Sequence, residues 1–243
     1  MALTGFHLEE EQEGKKKIIP TGNVEIDNKM GGGIPVGSLM LIEGDSHAGK
    51  SVLSQQLIWG SLNDGFRVTL FSTENTVKSL VKQMQSLSID ILDFLLLGRF
   101  RIYPMRVARA DSHLLQDLLR AIVQEREKGA EVIFVDALTP AIVVTPETEV
   151  LGYFEDCKRL CSEDLTIINV VHSHAVSKDF LVRLTSLCDA HLKLRTEEVG
   201  ERLIKMMEVA KVRGATKTTG NIVSFEIEPG WGMRIIPLSK ARG

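Results

Sequence analysis

Strand-like and helix-like patterns of apolar residues alternate along most of this chain. Ser38–Glu43 is a short apolar run, and the glycine loop after it leads into a helical pattern from Lys50 to about Leu62. Arg67–Ser72 reads as the next strand, Thr76–Leu87 as a helix and Phe100–Tyr103 as a short strand. Within Ser112–Glu127, Leu114, Leu115, Leu118, Leu119, Ile122 and Val123 recur at helical spacing and predict a one-faced helix. Val132–Val135 is apolar throughout and ends in Asp136, the pattern of a parallel strand covered on both faces. Thr145 and Pro146 predict the N-cap and first turn of a helix running to about Ser162, and Thr166–Val171 is a further buried strand.

The rhythm changes after Asp189. Ala190–Leu194, Leu203–Val212, Ile222–Ile227 and Met233–Ile236 read as strands separated by turns, one of them Glu228-Pro229-Gly230. Strands alternating with helices imply parallel βαβ units, and the closing run of strands implies an antiparallel extension of the same sheet. The expected fold is therefore α/β: a mostly parallel twisted sheet flanked by helices, with antiparallel C-terminal strands. Residues 18–243 are expected to form one domain. Residues 1 to about 17 pair an acidic cluster (Glu9, Glu10, Glu11, Glu13) with Lys15-Lys16-Lys17 and read as a mobile tail, with a partner-binding arm as the alternative.

Composition narrows the class. Of 243 residues, 44% are hydrophobic and 25% charged, the balance of a globular protein, and the net charge of -3 supplies no field that would gather nucleic acid or anionic lipid. Three cysteines (Cys157, Cys161, Cys188) are too few for a disulfide framework and favour a reducing compartment. Cys157 and Cys161, four apart on a helix, read as small buried apolar residues. The first residues lack the basic start and apolar stretch of a secretory leader, and no apolar run approaches a bilayer's span.

The chemistry concentrates at Gly44-Asp45-Ser46-His47-Ala48-Gly49-Lys50-Ser51, which fits G-x-x-x-x-G-K-[ST] between a predicted strand and helix. Glycines there let backbone N–H groups turn inward around a phosphate at a helix N-terminus. Lys50 would reach the outer phosphates, Ser51 would ligate Mg²⁺, and Val52 completes the candidate binding segment Gly44–Val52. Asp136 fits the second magnesium carboxylate, acting through water; the alternative is a turn residue after a buried strand. Glu74, just past its strand, could polarise an attacking water or simply favour a helix start. His172-Ser173-His174 follows the strand TIINVV, and His174 is a candidate phosphate sensor. Lys211 and Arg213, two apart on a strand, can share a face and point at one anion, or both face water.

Together these residues resemble the KaiC-like branch of the RecA-like P-loop ATPases, over about Pro20 to Ile236. Gly31-Gly32-Gly33-Ile34-Pro35-Val36-Gly37-Ser38 is similar to the glycine segment that the branch places before its first core strand, and Lys211-Val212-Arg213-Gly214 to its Lys-x-Arg-Gly motif. Ile42–Gln56 and Ser72-Thr73-Glu74-Asn75-Thr76 are similar to the single-domain members of the archaeal motility motor, the archaellum. The resemblance implies a RecA-like fold, ATP and Mg²⁺ as ligands, and a homo-oligomeric ring, a hexamer being favoured. It also implies that Lys211 and Arg213 reach a neighbouring copy's terminal phosphate. The implied partners are the motor's secretion-type ATPase and its polytopic membrane platform; the implied location is cytoplasmic and peripheral. Two departures matter: Asn75 fills the place where KaiC-like enzymes often carry a second acidic residue, and Lys217 stands where some relatives have His. The missing carboxylate implies slow or absent hydrolysis.

Three functions compete on these grounds. The first is a motor-associated ATP-binding protein whose nucleotide tightens subunit contacts or docks a partner. The second is an active ATPase or KaiC-like autokinase, with Thr216, Thr218 and Thr219 among the possible acceptors. The third, a RecA- or RadA-type DNA-dependent ATPase, ranks last, because 5% aromatic content and a net charge of -3 give neither stacking groove nor basic footprint.

Overall fold

A computed structural model describes residues 18–105, 113–199, 202–215 and 220–236. The expected tail at 1–17, Thr216, Thr218, Thr219 and Lys217 lie outside the described residues. In chain order the elements are β1 (Ile18–Ile19), α1 (Val24–Lys29), β2 (Ile34–Pro35), β3 (Leu39–Gly44), α2 (Lys50–Asn63), β4 (Val68–Ser72), α3 (Val77–Ser86), α4 (Leu92–Leu96) and β5 (Phe100–Pro104). They continue with α5 (Leu114–Glu127), β6 (Val132–Asp136), α6 (Thr139–Val144), α7 (Glu147–Cys161), β7 (Thr166–His172), α8 (Lys178–Leu187), β8 (Ala190–Val199), β9 (Arg202–Val212), β10 (Ile222–Glu228) and β11 (Gly232–Ile236).

The main sheet has nine strands in the order β11-β10-β9-β8-β3-β7-β6-β4-β5. From β8 to β5 every neighbouring pair is parallel, whereas β9, β10 and β11 each run antiparallel to the strand before them. The expected α/β architecture with its antiparallel C-terminal extension is therefore what forms. β3, β4 and β6 are buried at every residue, because helices cover both faces of a parallel sheet. One apolar layer joins Met40, Ile42, Phe134 and Ile168 to Leu53 and Leu57 of α2. The other joins Leu41, Ile133 and Val171 to Ile122 of α5, Phe154 of α7 and Leu184 of α8.

α2 is buried around most of its circumference, including Ser54, Gln55 and Gln56. The reason lies in the C-terminal strands. β10 and β11, at the far edge of the same sheet, also reach α2, bringing Phe225 and Ile227 against Gly49 and Gly232 against Gln56. A helix covered on two sides needs no polar face.

Several details differ from the sequence expectation. The helix expected to start at Thr145 starts at Glu147 with Pro146 at the N-cap position; Thr145 instead closes α6, and its buried hydroxyl has no hydrogen-bond partner. Helices α1, α4, α6 and α8 form where no helix was expected, with Ser177 capping α8 through the Phe180 N–H. Cys157 and Cys161 are free and buried, as expected of small apolar residues, and Cys188 is free and buried as well. Burial pushes the Cys161 and Cys188 thiols up to about 12, so they stay protonated. Among the described residues no helix is long and apolar enough to cross a membrane.

At the β5 edge a carboxylate ties strands to helix. Glu125 of α5, 2% exposed, accepts from Thr69 Oγ1 at 3.1 Å, Arg101 Nε at 2.6 Å, Tyr103 Oη at 2.9 Å and Lys128 Nζ at 2.9 Å. Burial alone would raise its carboxyl, but the hydrogen bonds from Lys128, Tyr103 and Arg101 outweigh it and hold the group below the usual carboxylate range. Glu125→Gln should cost about 2 kcal/mol at neutral pH, because the donors lose their charged acceptor. A folded carboxyl below its unfolded value of about 4.3 contributes stability above that pH and loses it as pH falls through the folded value. Urea unfolding of wild type and variant should therefore differ at pH 7 and converge in strong acid.

Candidate functional site

Parallel strands carry their polar chemistry at their carboxyl ends, and four adjacent ends meet here. Gly44 at the end of β3 pairs with His172 at the end of β7, and Ser72 at the end of β4 pairs with Asp136 at the end of β6. The segment between β3 and α2 therefore opens directly onto Asp136, His172 and the residues that follow Ser72.

The loop's backbone is shaped before any ligand arrives. Gly44 has no room for a side chain, since a Cβ there would lie 2.1 Å from the Leu194 carbonyl oxygen of β8. Gly49 adopts φ +98° at the N-cap of α2, a conformation that disfavours other residues, and provides no side chain to cap the helix. His47 also lies in the left-handed region, at φ 63°. The first N–H groups of α2 thus converge on one space without a capping side chain, at the positive end of a 14-residue helix.

Lys50 is 5% exposed. Its ammonium donates to the carbonyls of Gly44 at 3.1 Å and Asp45 at 2.7 Å and lies 3.4 Å from His172 Nδ1. Burial lowers its pKa, while the negative charges of Glu74, Asp136 and Asp45 oppose that shift. A cavity of about 410 Å³ opens beside it, lined among others by Ser46, Ser51, Glu74 and His172 and reaching Gln83 of α3 and Ile227 of β10.

Asp136 is buried to 8% exposure, and its Oδ1 has no hydrogen-bond partner. Burial raises its carboxyl to about 7; the Glu74 charge adds to the rise, and Lys50 and the Ser51 hydroxyl offset part of it. An orphaned carboxylate oxygen beside a hydroxyl suits a hydrated hard cation, whose water would donate to it.

Glu74 stands at the cavity wall with Oε1 3.0 Å from His172 Nε2. With the Lys50 ammonium at Nδ1, the imidazole is placed to accept from Lys50 and donate to Glu74. Asn75 turns to its own helix: its backbone N–H donates to Ser72 Oγ and its side-chain Oδ1 accepts from Ser79 Oγ. His172, rather than the expected His174, is the histidine that enters the cavity, because the register of β7 with β3 sets its last residue beside Gly44. The His174 side chain is 75% exposed and meets Asp45 at 3.2 Å. The sequence signal for this pair was present in His172-Ser173-His174, but the choice between them needed the strand register.

Lys211 and Arg213 do not join these groups. Val212 pairs with Ala190, which pairs with Met40 near the start of β3, whereas the loop follows Gly44 at its end. That separates them from the loop of their own chain by about 13 Å of strand. The two cations stay near each other: burial, and after it the Arg213 charge, lower the Lys211 pKa. Lys211 Nζ donates to the carbonyls of Thr185, at 3.2 Å, and Cys188, whereas the Arg213 side chain is 60% exposed.

Comparison with known proteins agrees with this arrangement. Residues 19–240 match the family described as ATPase: KaiC. The archaeal flagellar ATP-binding protein FlaH of Sulfolobus acidocaldarius is 31% identical over 228 residues, covering 93% of this chain and 99% of that protein. The protein of the same name from Methanocaldococcus jannaschii is 30% identical over 87% of this chain and 91% of its own length. The crystal structure of flagellar accessory protein FlaH from Methanocaldococcus jannaschii superimposes with a TM-score of 0.82 at 26% identity, over 91% of this chain and 99% of that one. A KaiC-like protein from Pyrococcus horikoshii shares the fold at a TM-score of 0.74 and 20% identity. The loop, the converging strand ends and these likenesses lead to one assignment: the chain belongs to the KaiC family of ATPases and, within it, to the FlaH proteins.

Proposed function

We propose that this chain is an ATP-binding protein of the archaeal motility motor whose nucleotide state governs ring assembly and docking to the motor ATPase and its membrane platform, with slow or absent hydrolysis. One observation carries the reading: the uncapped start of α2 and the buried Lys50 ammonium line one cavity with Ser51, whose hydroxyl meets the buried carboxylate of Asp136 with its orphaned oxygen. Backbone N–H groups between Ser46 and Ser51 would take the phosphate oxygens. Lys50 would exchange its two carbonyl partners for the outer phosphates. Ser51 and Asp136 would hold Mg²⁺, the latter through water, and the bound ion would neutralise and orient those phosphates. The chain from residue 18 onward works as one nucleotide-binding domain in this reading, and its place is cytoplasmic, held at the membrane by its motor partners.

Slow hydrolysis is supported by the surroundings of Glu74. Its carboxylate is engaged by the His172 ring, and Asn75 supplies no second base. Glu74 nevertheless lines the same cavity as Lys50, which favours an active ATPase or autokinase as the second reading. A trans role is supported for Arg213, because an anion met by an exposed guanidinium so far from its own loop belongs to another copy.

Incubation with Mg-ATP, reading bound nucleotide, released phosphate and particle mass together, separates the readings. Retained ATP with a rise in mass is the expected result; rapid phosphate release would favour the enzyme, and selective DNA binding would favour the DNA-dependent reading. Lys50→Ala should weaken ATP binding by about a hundredfold or more in calorimetry, since the buried charge for the outer phosphates is gone. Unchanged affinity would refute the site. Arg213→Ala should lose the ATP-dependent rise in mass by light scattering while its melting temperature stays within about 1 °C of wild type.

A further inference from the structure

A second cavity, of about 220 Å³, opens halfway along α2, apart from the nucleotide loop. It is lined by Gln56 and Trp59 of α2, Leu87 and Ile89 beyond α3, Gly22 ahead of α1 and Trp231 in the turn between β10 and β11. Hydrogen bonds fasten these walls to one another. Gln56 Nε2 donates to the Thr21 carbonyl at 3.1 Å, Asn23 Nδ2 to the Met233 carbonyl at 3.1 Å, and the Gly230 N–H to the Ser86 carbonyl at 2.9 Å. None of the described residues lining the cavity is charged. Trp231 is 78% exposed, and Val24, which follows the lining residue Asn23, is exposed as well. An exposed indole on an uncharged, preformed cavity is a surface that takes up an apolar side chain.

The chain supplies a candidate of its own. β1 begins at Ile18, four residues ahead of Gly22, so residues 1–17 leave the fold within about 14 Å of the cavity wall. Phe6 is the only aromatic residue outside the described ones, and it stands twelve residues before Ile18, a length of chain that spans up to about 40 Å. A short tether of this kind holds a side chain at about millimolar concentration around its target. A cavity of about 150 Å³ takes up benzene, so 220 Å³ admits one phenyl ring and not two. Charge marks which part of the segment enters. Glu9, Glu10, Glu11 and Glu13 would lose their hydration in an uncharged cavity, whereas Leu3, Phe6 and Leu8 ahead of them gain by leaving water. Residues 1–17 also precede the stretch, 19–240, that matches the KaiC family, so a contact made by them is an addition to the shared domain.

We infer that this cavity is the docking site of the chain's own N-terminal segment, with Phe6 seated between Trp59 and Trp231. The acidic run that follows stays in water at the rim, and Lys15-Lys16-Lys17 lead back to β1. Docked in this way, the segment covers the exposed indole, and a protein partner that uses this face has to displace it first. The contact lies within one chain and needs neither nucleotide nor a second copy, so it stands apart from the ATP reading.

Trp59 and Trp231 are the only tryptophans, so tryptophan emission reports on this cavity alone. The test uses the full chain without nucleotide, in a Trp59→Phe background where acrylamide quenching reads Trp231. Phe6→Ser should raise the quenching constant roughly twofold and move the emission to the red, because the side chain covering the indole is gone. Lys16→Ser, in the tether, should leave both as in the parent. The same ordering should hold with Trp59 retained, which guards against a cavity altered by the background change. A Phe6→Ser chain that quenches like its parent overturns the docking and leaves the cavity open to a partner. An equal rise in Lys16→Ser overturns it too, since the charge of the segment and not the ring would then be felt. Parent quenching that climbs to the Phe6→Ser value on roughly hundredfold dilution shows another copy's segment in the cavity and overturns docking within one chain.

Discussion

Everything at this site depends on backbone amides that the chain itself leaves without a capping side chain. α2 begins at a glycine with positive φ that has no side chain to cap it, and the helix it opens is buried along most of its length. The sheet fixes the start of that helix through β3, whose last residue is so close to the Leu194 carbonyl that only glycine fits. An anion-seeking helix end, a buried ammonium and a carboxylate with a spare oxygen follow from these packing constraints.

The central strands and α2 were legible because their signals are local. Short apolar runs such as Val132–Val135, rich in β-branched residues and too brief for a helix, read as buried strands, and the spacing from Gly44 to Ser51 encodes its own context. α6 was not legible: Thr-Pro-Ala-Ile-Val-Val is rich in β-branched residues, and only its packing against the ends of β6 and β7 makes it helical. α8 left a readable trace, Ser177 ahead of Lys178-Asp179, that apolar spacing alone did not bring out.

In the site, Lys50, Ser51 and Asp136 could be read from motif and strand end, whereas His172 could not be separated from His174 without knowing how β7 registers with β3. Lys211 shows the same limit more sharply. Alternation along a strand puts it beside Arg213 on one face, and a single extra residue at Ala210 changes what that face meets. The irregular spacing of Val209 and Val212 carries the bulge in the sequence, but its meaning depends on which helix ends nearby.

The position of Arg213 has a geometric consequence under the proposed reading. A cradle at one end of a sheet and a guanidinium at the other make each junction between copies head-to-tail, so the two contacting surfaces are unlike. A straight row would always finish with one vacant cradle and one idle arginine; only curvature that brings the row back on itself removes both. Copy number is then decided by the wedge angle between neighbours, with odd and even counts equally admissible, and one damaged subunit in a mixed circle breaks a single seam while the others hold.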